Sequence, residues 1–205
     1  MEGDDEGAAV RPAQPTTTLL TPAEAAVGET VQRLRAESKL TLRTLATRSG
    51  FSASFLSQVE NGQASPSIAS LERLARALGV GLADFFRQET PARGLVMRRS
   101  ERGRLTSQWS KAQVEPLVPP ESLRRLEGIL IILEPGGRSG RETSAQPHEQ
   151  IGLVLEGEVV LSVASAVHVL TVGDAAAIPA HSPHSWENRS LLPVRIALVA
   201  ARGPR

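Results

Sequence analysis

Between Thr41 and Ser67 the chain carries a series of short polar side chains: Thr41, Ser52, Ser54, Ser57, Gln58, Asn61, Gln63 and Ser67. Arg43 stands near its start, and Gly50 and Gly62 interrupt it. The chemistry on offer is hydrogen bonding with almost no charge. A glutamine pairs bidentately with an adenine edge, a serine bonds to most bases, and an aromatic such as Phe55 can touch a thymine methyl. A second polar set, Gln146, Gln150, His184 and Trp186, lies far along the chain. Two amides, an imidazole and an indole suit a small polar ligand held by neutral hydrogen bonds and stacking. Catalytic arrangements are not indicated: no serine sits in a G-x-S-x-G elbow, and there is no P-loop or paired-carboxylate signal. The four histidines form no triad. With no cysteine, disulfides, thiolate catalysis and cysteine-built zinc sites are excluded.

The elements that must position these groups follow from the apolar pattern. Up to about Gln88 apolar residues recur at helical spacing, as in Leu42, Leu45, Ala46 and in Ile68, Leu71, Leu74, Ala75, Leu78. Thr41, Ser52 and Ser67 each precede such a stretch as an N-cap, and Gly50 and Gly62 read as left-handed helix stops. Only Ser49, Gly50 and Phe51 connect two short helices, the mark of a helix-turn-helix. If Leu56 and Val59 face the core, then Ser54, Ser57, Gln58 and Asn61 face outward, with Glu60 the one charge nearby. Phe55 either reaches outward with them or is partly buried against a neighbouring helix. After about Pro91 the pattern changes to short β-branched runs separated by Gly, Pro and Asp. These are Leu95–Met97, Leu130–Leu133, Gly152–Leu155, Val159–Val163, Val167–Val172, Ala176–Pro179 and Val194–Val199. Strands without intervening helices argue for a sandwich or barrel.

Charge is unevenly placed along the 205 residues. The total is only +1, but residues 1–26 hold five acids and one base, whereas Val27–Pro120 is net +6. The tail, rich in Gly, Ala, Pro and Thr, reads as disordered. No apolar run approaches the length needed to span a bilayer. The acidic opening Met1–Glu6 is unlike a signal peptide, so a cytoplasmic protein without a membrane partner is expected.

The segment L-R-T-L-A-T-R-S-G-F-S-A-S-F-L-S-Q-V-E-N-G at Leu42–Gly62, followed by S-P-S at Ser65–Ser67, resembles the phage-repressor-like (xenobiotic-response-element) helix-turn-helix family. The stretches Pro135–Gly157 and Gly173–Asn188 resemble the two signature motifs of the cupin barrel, with the glycines, Pro179, His184 and Asn188 in register. Together they imply two domains: an all-α, five-helix helix-turn-helix domain followed by an all-β cupin barrel (double-stranded β-helix or jelly roll). The expected boundaries are an acidic tail at 1–26, the DNA-binding domain at 27–88, a linker at 89–92, the cupin domain at 93–201 and a tail at 202–205. Metal-binding cupins place two histidines and a glutamate where this chain has Ser144, Gln146 and Gln150, and only His184 is kept. His148, Glu149 and His181 lie nearby, but the first and last replace a turn residue and a glycine of the motif. No metal and no other cofactor is therefore expected, since Ser and Gln bring no charge to a divalent cation.

These resemblances imply a sequence-specific transcriptional regulator, a repressor in the family's usual sense. Double-stranded DNA is its expected partner. Bases would be read by Ser52, Ser54, Phe55, Ser57 and Gln58, and the backbone held by Thr41, Arg43, Asn61, Gln63 and Ser67. One such module buries little DNA, so a homodimer on a palindromic operator is expected, its reading helices about one DNA turn, roughly 34 Å, apart. Gln146, Gln150, His184 and Trp186 form the expected pocket for a small-molecule effector. Two readings stand beside this one: a metal-dependent cupin enzyme with an attached DNA-binding head, and a regulator whose barrel only dimerises.

Overall fold

The computed structural model describes residues 22–86, 95–107, 110–119, 125–140 and 143–201. The expected linker at 89–92, the tail at 202–205 and residues 1–21 of the acidic tail lie outside these. Helix α1 spans Pro22–Glu37, so the last residues assigned to the tail are helical; proline is well suited to a first helical turn, where its missing N–H costs nothing. Helices α2 (Leu42–Ser49), α3 (Ala53–Glu60) and α4 (Ile68–Leu78) follow. Each of the three is capped as its sequence predicts: Thr41, Ser52 and Ser67 accept from the amides of Thr44, Phe55 and Ser70. Gly50 sits in the left-handed region at φ 70°, which closes α2 and turns the chain into α3.

Among its described residues the helical domain has four α-helices rather than the expected five. Its last element is a single 3-10 turn at Leu82–Phe86. The turn is fastened at its start from two sides, because Asp84 accepts from Gly81 N at 2.8 Å and Glu127 of the barrel accepts from Ala83 N at 3.0 Å. Leu82, Ala83 and Phe85 are buried there, so the segment serves as an apolar plug against the second domain.

A short 3-10 turn at Arg99–Glu101 and nine strands follow among the described residues: β1 Leu105–Ser107, β2 Ala112–Pro116, β3 Leu126–Leu133, β4 Gln150–Glu156, β5 Val159–Val163, β6 Ala166–Leu170, β7 Ala175–Ile178, β8 His184–Glu187 and β9 Val194–Ala201. They form a six-stranded antiparallel sheet ordered β1-β2-β3-β9-β4-β7 and a three-stranded sheet ordered β6-β5-β8. Alternation points Ile129, Ile131, Leu133, Val194, Ile196 and Leu198 of the larger sheet inward to meet Val159, Leu161 and Trp186 of the smaller. The expected strand at Leu95–Met97 is absent. That run finds no strand partner, and Leu95 is 80% exposed. One apolar core runs through both domains. Besides the Glu127 contact, Ala69 N in the first turn of α4 donates to Ser139 O of the barrel at 2.9 Å.

Candidate functional site

Two places gather the polar side chains singled out in the sequence. The first is the outer face of α3 with the ends of its neighbours. Thr41, Arg43, Ser52, Ser54, Gln58, Asn61 and Gln63 are exposed, and Ser57 is half-buried. Asn61 caps α3 from its C-terminal end, donating through Nδ2 to Ser57 O at 2.8 Å. Ser67 is placed differently: it is buried, and its hydroxyl is taken up by the amide and hydroxyl of Ser70. It is a helix cap without a free surface. Phe55 is half-buried and packs tilted on Phe51, ring centroids 5.0 Å apart. Arg73 lies 4.3 Å over the other ring of that pair and donates to Ser49 O, which braces the turn between α2 and α3.

Glu60 does not face outward with this group. Its carboxylate forms a bidentate pair with Arg35 of α1 at 2.6 and 2.8 Å, and its side chain is only 7% exposed. This hydrogen bond raises the already high pKa of the Arg35 guanidinium. Arg35 also donates to Leu40 O, so one side chain fixes α1, α3 and the loop before α2. The result is an outer α3 face whose described side chains carry no charge. Hydroxyls and amides remain, and the N-termini of α2 and α3 carry amides and dipoles that favour anions.

The second place is the barrel. Ser144 and His184 are brought together by a two-residue bridge, and Gln146 Nε2 donates to Ser144 Oγ at 3.1 Å. His184 is buried, with Nδ1 3.1 Å from Ser182 O. Trp186 is 1% exposed and fills the space between the sheets. Only glycine fits opposite it, since a Cβ at position 152 would come within 2.7 Å of the indole ring. The expected pocket therefore divides. Gln146 and Gln150 line an open cleft of about 260 Å³ between barrel and helical domain, whereas His184 and Trp186 do not. The cleft is also lined by Glu72, Arg76 and Asp84 from the helical side and by Glu127 and His148 from the barrel.

The metal that the cupin fold commonly holds does not fit this donor set. One hydroxyl, two amides and a single imidazole offer no anionic ligand, and the Ser144 hydroxyl already accepts from Gln146. Among the described residues no group of three His, Asp or Glu side chains is gathered to hold an ion. His181 is exposed at φ 61°, keeping the left-handed backbone of the motif glycine it replaces.

Comparison with known proteins places both halves. The family model described as a helix-turn-helix domain matches residues 26–85, and that described as a cupin domain matches residues 129–200. The HTH-type transcriptional regulator PuuR of Escherichia coli (strain K12) is 31% identical over 167 residues, covering 80% of this chain and 89% of that protein. The HTH-type transcriptional repressor RghR of Bacillus subtilis (strain 168) is 46% identical over 54 residues, 26% of this chain and 40% of that protein. A solved HTH_3 family transcriptional regulator from Vibrio cholerae shares the fold at TM-score 0.68 and 23% identity, covering 89% of this chain and 97% of that one. Among the described residues no helix is long and apolar enough to cross a membrane. The chain belongs to the HTH-type transcriptional regulators that join a DNA-binding helix-turn-helix domain to a cupin domain.

Proposed function

We propose that the protein is a homodimeric, operator-specific repressor whose DNA affinity responds to a small molecule bound without metal. The observation that carries the DNA reading is the uncharged polar outer face of α3, together with the capped N-termini of α2 and α3. A helix face exposed for solubility alone would be rich in Glu, Lys and Arg; this one can enter a groove without repulsion. Gln58 and Ser54 are the foremost base readers, with Ser52 and Ser57 beside them and Phe55 limited to the edge its packing leaves free. Thr41, Arg43, Asn61 and Gln63 take backbone phosphates. Repression is supported by the likeness of the helical domain to that of a protein named as a repressor.

Two reading heads on one dimer predict an inverted-repeat operator with half-sites about one turn, roughly 34 Å, apart. Selection of bound duplexes from random DNA tests this. Enrichment of such a repeat is the expected result, and no enrichment above random would overturn the reading.

A further inference from the structure

An antiparallel sheet with one side on the core ordinarily turns polar residues to water on the other. Strand β4 does not. Its inward residues are Gln150, Gly152 and Val154, and its outward ones are Ile151, Leu153 and Leu155, which are 57%, 37% and 46% exposed. The strand register carries this apolar face sideways. One row across β7, β4 and β9 reads Ala177, Ile151, Val199, and the next reads Ala175, Leu153, Ala197. Neither row holds a polar side chain, and none of the six residues is buried. The smaller sheet differs. It also exposes Val167 and Val169, but these lie on its edge strand, and their rows run on through Ser162 to Ser185 and through Val160 to Glu187.

Size and charge both bear on what covers the face. At about 4.8 Å between strands and about 3.4 Å per residue, three strands over five residues make roughly 250 Å² of flat surface. A stable pairing takes about 800 Å² from each partner, apolar at its centre and polar at its rim, so the patch has the extent of such a centre. A surface that meets a copy of itself must also avoid setting like charges together. The two rows carry none. At one end of β4 stands the exposed Glu149, and at the other Arg195 lies 3.9 Å from Glu156. An axis lying across the strands sets Glu149 of each copy against the end that holds Arg195, and not against its own twin.

We propose that the outer face of β7, β4 and β9 is the surface on which two copies of this chain pair, the strands of one antiparallel to those of the other. It would supply the contact of the homodimer proposed above, and it shares no residue with the outer face of α3, which stays open. The consequence for DNA rests on the regulator reading; the pairing itself does not.

Sedimentation of the full chain at micromolar concentration is the test, and twice the chain mass is the expected result. Ile151→Arg places two arginines in every interface, one from each copy, and should raise the dissociation constant about a hundredfold or more. Val169→Arg, on the smaller sheet, should leave it unchanged. Because the chain has no cysteine, single thiols report the contact without weakening it. A short bismaleimide should join Leu153→Cys into a covalent dimer and leave Val169→Cys uncoupled. A monomeric parent, which would mean that an unlike partner or another part of the chain covers the face, would overturn the proposal. So would a dimer as tight in Ile151→Arg as in the parent, an equal loss in Val169→Arg, or no coupling in Leu153→Cys. Operator selection is read on the same protein. Pairing through this face in a protein that selects no operator upholds the surface and refutes the regulator reading, whereas a selected inverted repeat with Ile151→Arg still dimeric does the reverse.

Discussion

The helical domain and the barrel use polar residues in opposite ways. In the helical domain one buried pair, Arg35 with Glu60, and three capped helices secure the fold, and on the outer face of α3 the side chains of Ser54 and Gln58 bond to no described residue. In the barrel the polar positions of the cupin motif have been turned inward and put to structural use: His184 lies against Ser182 O, Ser144 is bonded to Gln146, and the Trp186 ring fills the space between the sheets. The free polar groups of the first domain therefore lie on its surface. In the second an open cleft lies at the rim, where the barrel meets α4 and the 3-10 turn.

Substitutions can break or sharpen that contrast. The largest effect is expected at Trp186, since replacing it with Ala opens a cavity in a closed core; a loss of about 3–5 kcal/mol in urea unfolding is predicted. If Trp186 were instead a wall of a ligand pocket, the loss would be small. Next comes Glu60→Ala, which leaves the Arg35 guanidinium partly buried without its partner and should cost about 3 kcal/mol. Replacing both residues with apolar ones of similar size should recover most of that loss in the same unfolding assay. Ser52→Ala removes the N-cap of α3 and should cost about 1 kcal/mol of stability, again by urea unfolding. Arg43→Ala should leave stability unchanged within about 0.5 kcal/mol. It should weaken binding to all DNA sequences and lower the salt slope by about one ion, whereas an unchanged slope would remove Arg43 from the phosphate set.

Much of this was legible in the sequence where the signal is local. The caps at Thr41, Ser52 and Ser67, the left-handed Gly50 and the outward spacing of Ser54 and Gln58 depend on residues within a few positions of one another, and the two cupin motifs fix the barrel by their glycines. What was not legible depends on distant partners. Glu60 reads as a surface charge until α1 brings Arg35 alongside it from 25 residues away. The fifth helix shrinks to a 3-10 turn where Glu127, 44 residues further on, accepts from Ala83 N. Strand β2 carries Glu115 and Pro116, and β8 spans only four residues, too short for a period-two pattern to stand out. The cleft escapes a linear reading for the same reason, because Glu72, Glu127 and Gln150 meet only once the domains pack.

The measurement closest to the central claim compares Gln58→Ala with the parent protein on the selected operator and on random duplex DNA, together with their unfolding curves. A loss of about 1–3 kcal/mol confined to the operator, with relaxed preference at one base pair and unchanged stability, is the predicted result. Equal losses on both DNAs, or a loss of folding stability of the same size, would contradict a Gln58 that reads bases and takes no part in holding the fold.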